Sequence, residues 1–297
     1  MATLPGSDSL LHRCVGVSAA SASQTHTFID KDAALRHPFL SRGNDAKRTK
    51  GESMQTSRPV LVLFPGAWGN RTHELATWWF RHVINHFKGD YEIVVVTYAG
   101  GSLDQYVESA LEQLKDVPDG SLALVYSMGA QIARGVATTR PTLFKRVALI
   151  SGLERTGVRF SVFLQALTFM IVPMLRTLVG RPLKLDTVEQ VKRVFFQPLS
   201  LQVGVLVHAR DLLEQRLIPE PAWPMLRLFL PGLRRRFPPF PCPVMVVVPQ
   251  DDFILPGARY PGEQVQRVDV SGEHALVIDH WLVTSPLNNI ATWFLLD

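Results

Sequence analysis

A chain of 297 residues with 46% hydrophobic and 19% charged side chains has ordinary globular composition and enough apolar material for one large core. Its net charge of +5 is scattered, and the one dense basic run, Arg234-Arg235-Arg236, lies among prolines and phenylalanines, so no nucleic-acid module or partner is expected. The two cysteines, Cys14 and Cys242, are far apart with no CxxC or metal-type spacing; neither a disulfide framework nor a zinc site is indicated, and a reducing, cytoplasmic compartment fits.

Residues 1–57 are rich in Ser, Thr, Asp and Lys, hold no sustained hydrophobic period, and are expected to be a poorly ordered polar segment. A chain beginning near Met54 and a genuine polar tail would both give this pattern. The start lacks the continuous apolar stretch of a secretory signal. Arg13 and the serines between 18 and 23 have a transit-peptide flavour that Asp8 and Asp30 oppose, so organelle targeting stays open.

From Arg58 the text becomes rhythmic. Residues 59–64 (PVLVLF) form a short continuous apolar run bounded by Pro and Gly, the mark of a strand buried on both faces. A helical stretch comes next at 74–87, then a second buried strand at 91–98 (YEIVVVTY) and a helix at 103–114. A third strand at 122–126 leads into a helix at 131–138, and a fourth strand covers 146–151 (RVALIS). Alternating strands and helices predict right-handed crossovers and a mostly parallel sheet covered on both sides. Residues 155–240 then hold helical segments and many prolines but no clear buried strand, the layout of a helical cap or lid between two sheet strands. The rhythm resumes at 243–248 (PVMVVV) and 265–270, and closes with a helix around 285–296. The expected division is therefore a polar segment at 1–57, a core in two parts at 58–154 and 241–297, and a cap at 155–240.

The chemistry concentrates where strands end. Residues 122–130 read LALVYSMGA, a strand passing through Tyr-Ser-Met-Gly directly into a helix. A sharp turn there lifts the Ser127 hydroxyl above the sheet edge, and Gly129 lets the helix pack closely. An ordinary turn serine would have the same local sequence. Three further loops lie just past strand ends: LFPGAWG at 63–69, PQDDFILP at 249–256 and VSGEHAL at 270–276.

Together these four segments resemble the α/β-hydrolase superfamily over residues 58–297. The resemblance implies an α/β fold with a mostly parallel sheet of about six strands, flanking helices and an inserted cap. In this chain Val125 stands where the usual G-x-S-x-G pattern has its first glycine, and Pro65 stands where the His-Gly loop has His. The resemblance makes Ser127 the nucleophile and His274 the general base, with His280 as the alternative. Registered on Pro256, the acid is Asp252, with Asp251 and, in a minority geometry, Glu154 as alternatives. The backbone amides of Ala67 and Met128 would form the oxyanion hole, and Gly66 and Trp68 would border the substrate. The chain order Ser, Asp, His is the order expected of this fold.

The chemistry so implied is that of a serine hydrolase cleaving an ester of a small, largely apolar molecule through an acyl-enzyme, with no metal or organic cofactor required. The same triad would serve thioester or C–C bond hydrolysis, acyl transfer or lyase chemistry, and a non-catalytic binding protein of this fold is the reading from another class. Residues 160–178 (FSVFLQALTFMIVPMLRTL) and 225–233 (MLRLFLPGL) are apolar nearly all round. They would bury themselves against the sheet, cover a pocket for an apolar group, or touch a membrane surface peripherally.

Overall fold

The computed structural model describes residues 58–296, apart from 170, 197–202, 216, 231–232, 234–235 and 256–257; within helices, the side chains at 163, 166–169, 203–204 and 280–282 are not described. The expectations for residues 1–57, for Pro256 and for Arg234-Arg235 lie outside the described residues.

Six strands form one sheet: β1 (Val60–Phe64), β2 (Glu92–Val95), β3 (Ser121–Tyr126), β4 (Phe144–Ile150), β5 (Val244–Pro249) and β6 (Val265–Val270). Their order is β2-β1-β3-β4-β5-β6 and every neighbouring pair is parallel. The continuous apolar runs of β1, β3 and β5 are buried along their whole length, as strands covered on both faces must be.

The helices are α1 (His73–Trp79), α2 (Arg81–Phe87), α3 (Leu103–Gln113), α4 (Gly129–Thr139) and, after β6, α10 (His280–Phe294). The step from β1 to β2 runs one way along the sheet, whereas β2 to β3 and β3 to β4 run the other way. Right-handed crossovers therefore put α1 and α2 on one face and α3 and α4 on the opposite face. The ring of Phe87 on α2 meets Phe294 of α10 at 6.2 Å, which adds α10 to the first layer. The chain switches direction between β1 and β3, the topological position at which open α/β sheets place their sites.

Between β4 and β5 the chain makes a helical excursion: α5 (Phe160–Phe169), α6 (Ile171–Leu178), α7 (Val188–Phe195), α8 (Val203–Glu214) and α9 (Ala222–Phe229). Its strand-like pairing among the described residues is a single antiparallel bridge, Leu183 with Glu220.

Several elements differ from the sequence expectation for local reasons. The single helix expected at 74–87 is two, because Phe80 leaves helical geometry (φ −94°, ψ 13°) while staying fully buried. Thr72 starts the first by accepting from the Leu75 amide. The second strand keeps only four ladder residues and forms an edge of the sheet, so its side chains are partly exposed. Tyr98, expected in that strand, instead donates its amide to the Asn70 carbonyl, 2.8 Å away. The last helix starts at His280 and runs through Pro286, well before the expected 285.

The two helices of the second layer meet at Gly135. A Cβ there would lie 2.4 Å from Val107 Cγ2 and 3.0 Å from Phe237. Gly135→Ala should therefore destabilise the fold by about 1–3 kcal/mol in urea unfolding. Adding Val107→Ala should recover part of that loss, since it removes the obstructing methyl groups; purely additive losses would contradict this packing.

Candidate functional site

Three loops meet at the switch point marked by the strand order. After β3 the chain turns at Ser127 with φ 50°, a left-handed conformation that costs a non-glycine residue about 1–2 kcal/mol. The turn is held from several sides. Ser127 N–H donates to Ile150 O at 3.3 Å, and its carbonyl accepts from Ala130 and Leu153, each at 3.1 Å. Two glycines make room for it. A Cβ on Gly129 would lie 2.6 Å from Phe64 O and 2.7 Å from Pro65 O, both backbone atoms. A Cβ on Gly66 would lie 2.9 Å from Ser127 Cβ. The glycine missing from position 125 is not needed, because Val125 lies within β3, fully buried and in register with Phe64 and Leu149.

His274, in the loop after β6, reaches Ser127. Its Nε2 is 2.9 Å from Ser127 Oγ, and its Nδ1 is 2.9 Å and 3.1 Å from the two carboxylate oxygens of Asp252. The Asp252 carboxylate also accepts from the amides of Ile254 and Leu255 at 2.9 and 3.0 Å, which fixes its orientation. Its neighbour Asp251 is exposed and contributes backbone only, donating to Gly272 O. Glu154 is engaged by Arg159 and by the Arg259 amide, each at 3.0 Å. His280 opens α10. The serine, the imidazole and the carboxylate thus form one buried hydrogen-bonded row, with Ser127, His274 and Asp252 exposed by 8%, 3% and 2%.

Two donors are left over at this row. The amides of Ala67 and Met128 are in buried residues, and neither donates to an acceptor among the described residues. A buried N–H without a partner is costly, and an acceptor arriving beside the serine would satisfy one. A row of this order can withdraw a proton from a hydroxyl, and two unspent amides can receive a developing oxyanion.

Trp68, expected at the substrate, has a structural task as well. It too is left-handed, at φ 62°. Its amide donates to Glu220 Oε1 at 2.7 Å, its indole N–H donates to Leu183 O at 3.1 Å, and its ring meets Phe195 edge-on at 5.5 Å. Gly66 presents its carbonyl to the Asn70 side chain at 3.0 Å.

Sequence reasoning missed the group that organises this loop. Glu220, fully buried in the excursion, accepts from Trp68 N–H, from Asn70 Nδ2 at 2.5 Å and from the Tyr106 hydroxyl at 3.0 Å. The one legible sign was a lone acid between two prolines in an apolar stretch, LIPEPAW. Phe195, at the end of α7, was missed as well. Its carbonyl accepts from the Ala275 amide at 3.1 Å, and its ring lies nearly parallel to His274 at 6.5 Å. Burial pushes the Glu220 carboxyl up, while its three donors and Arg71 pull it down less strongly.

No protein-family model and no curated protein matches the sequence. Solved structures do match in shape. An extracellular α/β-hydrolase from a Paenibacillus species superimposes with a TM-score of 0.57 at 17% identity, covering 78% of this chain and 98% of that one. The fold is that of the α/β-hydrolases. Among the other matches, a protein described as a non-heme bromoperoxidase from Mycobacterium tuberculosis gives a TM-score of 0.57 at 16% identity, over 80% of this chain and 92% of that one. A pyrethroid hydrolase from Sphingobium faniae gives 0.53 at 14% identity, over 80% and 98%.

Glu220→Ala leaves three buried donors without an acceptor and should cost about 2–5 kcal/mol of stability. Glu220→Gln keeps an acceptor for Trp68 and should cost less. The two variants also report the shifted titration. A raised carboxyl binds its proton more tightly when folded, so its stabilising contribution is full below the ordinary value of 4.5 and is lost as pH rises through the folded value. The melting temperature of the wild type relative to Glu220→Gln should therefore fall as pH rises above that point and then level off. A difference that stays flat from acid to neutral pH would show that the carboxyl is not shifted.

Proposed function

We propose that this chain is a serine hydrolase that cleaves the ester bond of a small, largely apolar substrate. The observation that carries the reading is the unbroken row Ser127 Oγ, His274 Nε2, His274 Nδ1, Asp252, with each contact between 2.9 and 3.1 Å. Ser127 Oγ attacks the acyl carbon as His274 Nε2 takes its proton. Asp252, accepting from Nδ1–H, selects the tautomer with a bare Nε2 and stabilises the imidazolium that forms. The amides of Ala67 and Met128 receive the oxyanion, and His274 returns the proton to the departing alkoxide, leaving an acyl-serine. Water, activated by the same imidazole, then releases the acid and restores the serine.

The surroundings favour an apolar substrate. The rings of Trp68 and Trp79 lie 5.5 and 5.3 Å from that of Phe195, and Tyr126 and Phe195 border the His274 ring. In such a water-poor site the oxyanion donors act with greater force than they would in solvent.

A fluorophosphonate probe should label the wild type and fail to label Ser127→Ala. Asp252→Asn should lower kcat on a labile ester by about 10⁴-fold, because the wrong tautomer is then favoured. With p-nitrophenyl esters, kcat/KM should rise from acetate to longer acyl chains. A folded wild type that resists the probe would overturn the hydrolase reading, and indifference to chain length would remove the apolar-substrate part of it.

A further inference from the structure

Away from the site, exposed large apolar side chains gather on the excursion, and those along α6 are ordered. Ile171, Val172, Leu175, Leu178 and Val179 are 41–75% exposed. Their spacing places the first four along one side of the helix, with Val179 just past its end, while Met174 and Thr177 on the other side are buried at 1% and 0%. Thr177, facing inward, satisfies its hydroxyl on Pro173 O at 3.0 Å. This segment thus buries a thioether and a hydroxyl and turns five aliphatic side chains outward, the reverse of a helix that merely completes a core. Phe160 and Leu164 on α5, each 47% exposed, add to the apolar area.

A basic rim borders this face. Arg176, Arg181 and Lys184, with Val172 and Pro173, line a groove of about 320 Å³. The acid in the groove is Asp186, which pairs with Lys184 at 2.7 Å. Arg176 and Arg181 are exposed and make no ion pair among the described residues. Exposed apolar side chains beside unpaired guanidinium groups complement the boundary of an anionic lipid layer, where acyl chains and phosphates lie side by side.

We propose that α6 docks on an anionic membrane surface, with Ile171, Val172, Leu175, Leu178 and Val179 entering the headgroup boundary and Arg176 and Arg181 meeting lipid phosphates. The helix lies in the surface and does not cross it; among the described residues no helix is long and apolar enough to span a membrane. A second copy of this chain suits the face less well, because a twofold contact through α6 would set the arginine cluster against itself. The docking face also adjoins the loop that holds Trp68. Leu183, between Arg181 and Lys184 in the groove segment, forms the bridge to Glu220 and accepts from the Trp68 indole.

Vesicle flotation of the full chain tests this directly. The wild type should float with phosphatidylcholine vesicles containing phosphatidylglycerol, less in high salt, and poorly with phosphatidylcholine alone. Val172→Asp with Leu175→Asp should abolish flotation. Arg176→Gln and Arg181→Gln should each weaken it roughly fivefold. All four side chains are exposed, so thermal melting should be unchanged, and Lys115→Gln, just beyond α3, should float like the wild type. Ser127→Ala should also float, which separates this result from that of the hydrolase assay. Absence of flotation, or equal flotation of the Val172/Leu175 variant, would overturn the proposal. So would a dimer in analytical ultracentrifugation that the same two substitutions disperse, since the second copy would then be the occupant of the face.

Discussion

The site depends on how closely the start of α4 approaches the end of β1. A Cβ on Gly129 would meet two carbonyl oxygens of the first strand and its loop at 2.6 and 2.7 Å, so only glycine lets the helix begin there. If the helix moved outward, Ser127 would lose the turn that raises its hydroxyl. The strain of a left-handed serine is offset by anchoring further along α4. Arg134 pairs with Glu263 at 2.8 Å, both side chains fully buried, and donates to Leu153 O at 2.8 Å. Gln131 donates to Glu154 O. The helix is thereby tied to the loop after β4 and to the segment leading into β6. Truncating either charge would leave the other buried and unpaired, which is far costlier than losing a surface ion pair.

The excursion is joined to the core by polar groups at the place where the loop carrying the Ala67 amide needs support. The amide of the left-handed Trp68 is received by the buried Glu220 carboxylate. Carrying a carboxylate into an interior is unfavourable, and burial pushes the Glu220 carboxyl up. It is tolerable only because Trp68, Asn70 and Tyr106 all donate to it. The second joint, Ala275 N–H to Phe195 O, sits one residue beyond His274. Each joint thus touches a loop of the site: one the amide-bearing loop, the other the imidazole-bearing loop. A rearrangement of the excursion would be felt at both.

The legible part of the chain was the part governed by local rules. Continuous apolar runs marked the interior strands, and Ser-Met-Gly after such a run marked the turn at Ser127, because that geometry demands a small residue at 129. The edge strand β2 was overestimated, since β-propensity at 91–98 says nothing of how many residues pair in register, and only Glu92–Val95 did, whereas the other edge, Val265–Val270, matched its expected range. The split at Phe80 was hidden because an apolar pattern continues unbroken through a change of helix axis. Glu220 and Phe195 were hidden for a different reason. Glu220 acts on Trp68 across 152 positions of sequence, and Phe195 lies far from Ala275 as well, so no short window contains either contact.

Both faces of the excursion then follow from one composition. A segment this apolar must cover something, and its inner side packs toward the row formed by Ser127, His274 and Asp252, which is why those groups are buried although they stand at the edge of the sheet. Five short helices on one side of a core cannot all turn every apolar residue inward, yet chance would scatter the remainder. On α6 the remainder is aligned, and arginines stand beside it where acids would have served solubility equally well. A covered site and an apolar outer face would suit a substrate that reaches the protein from lipid rather than from water.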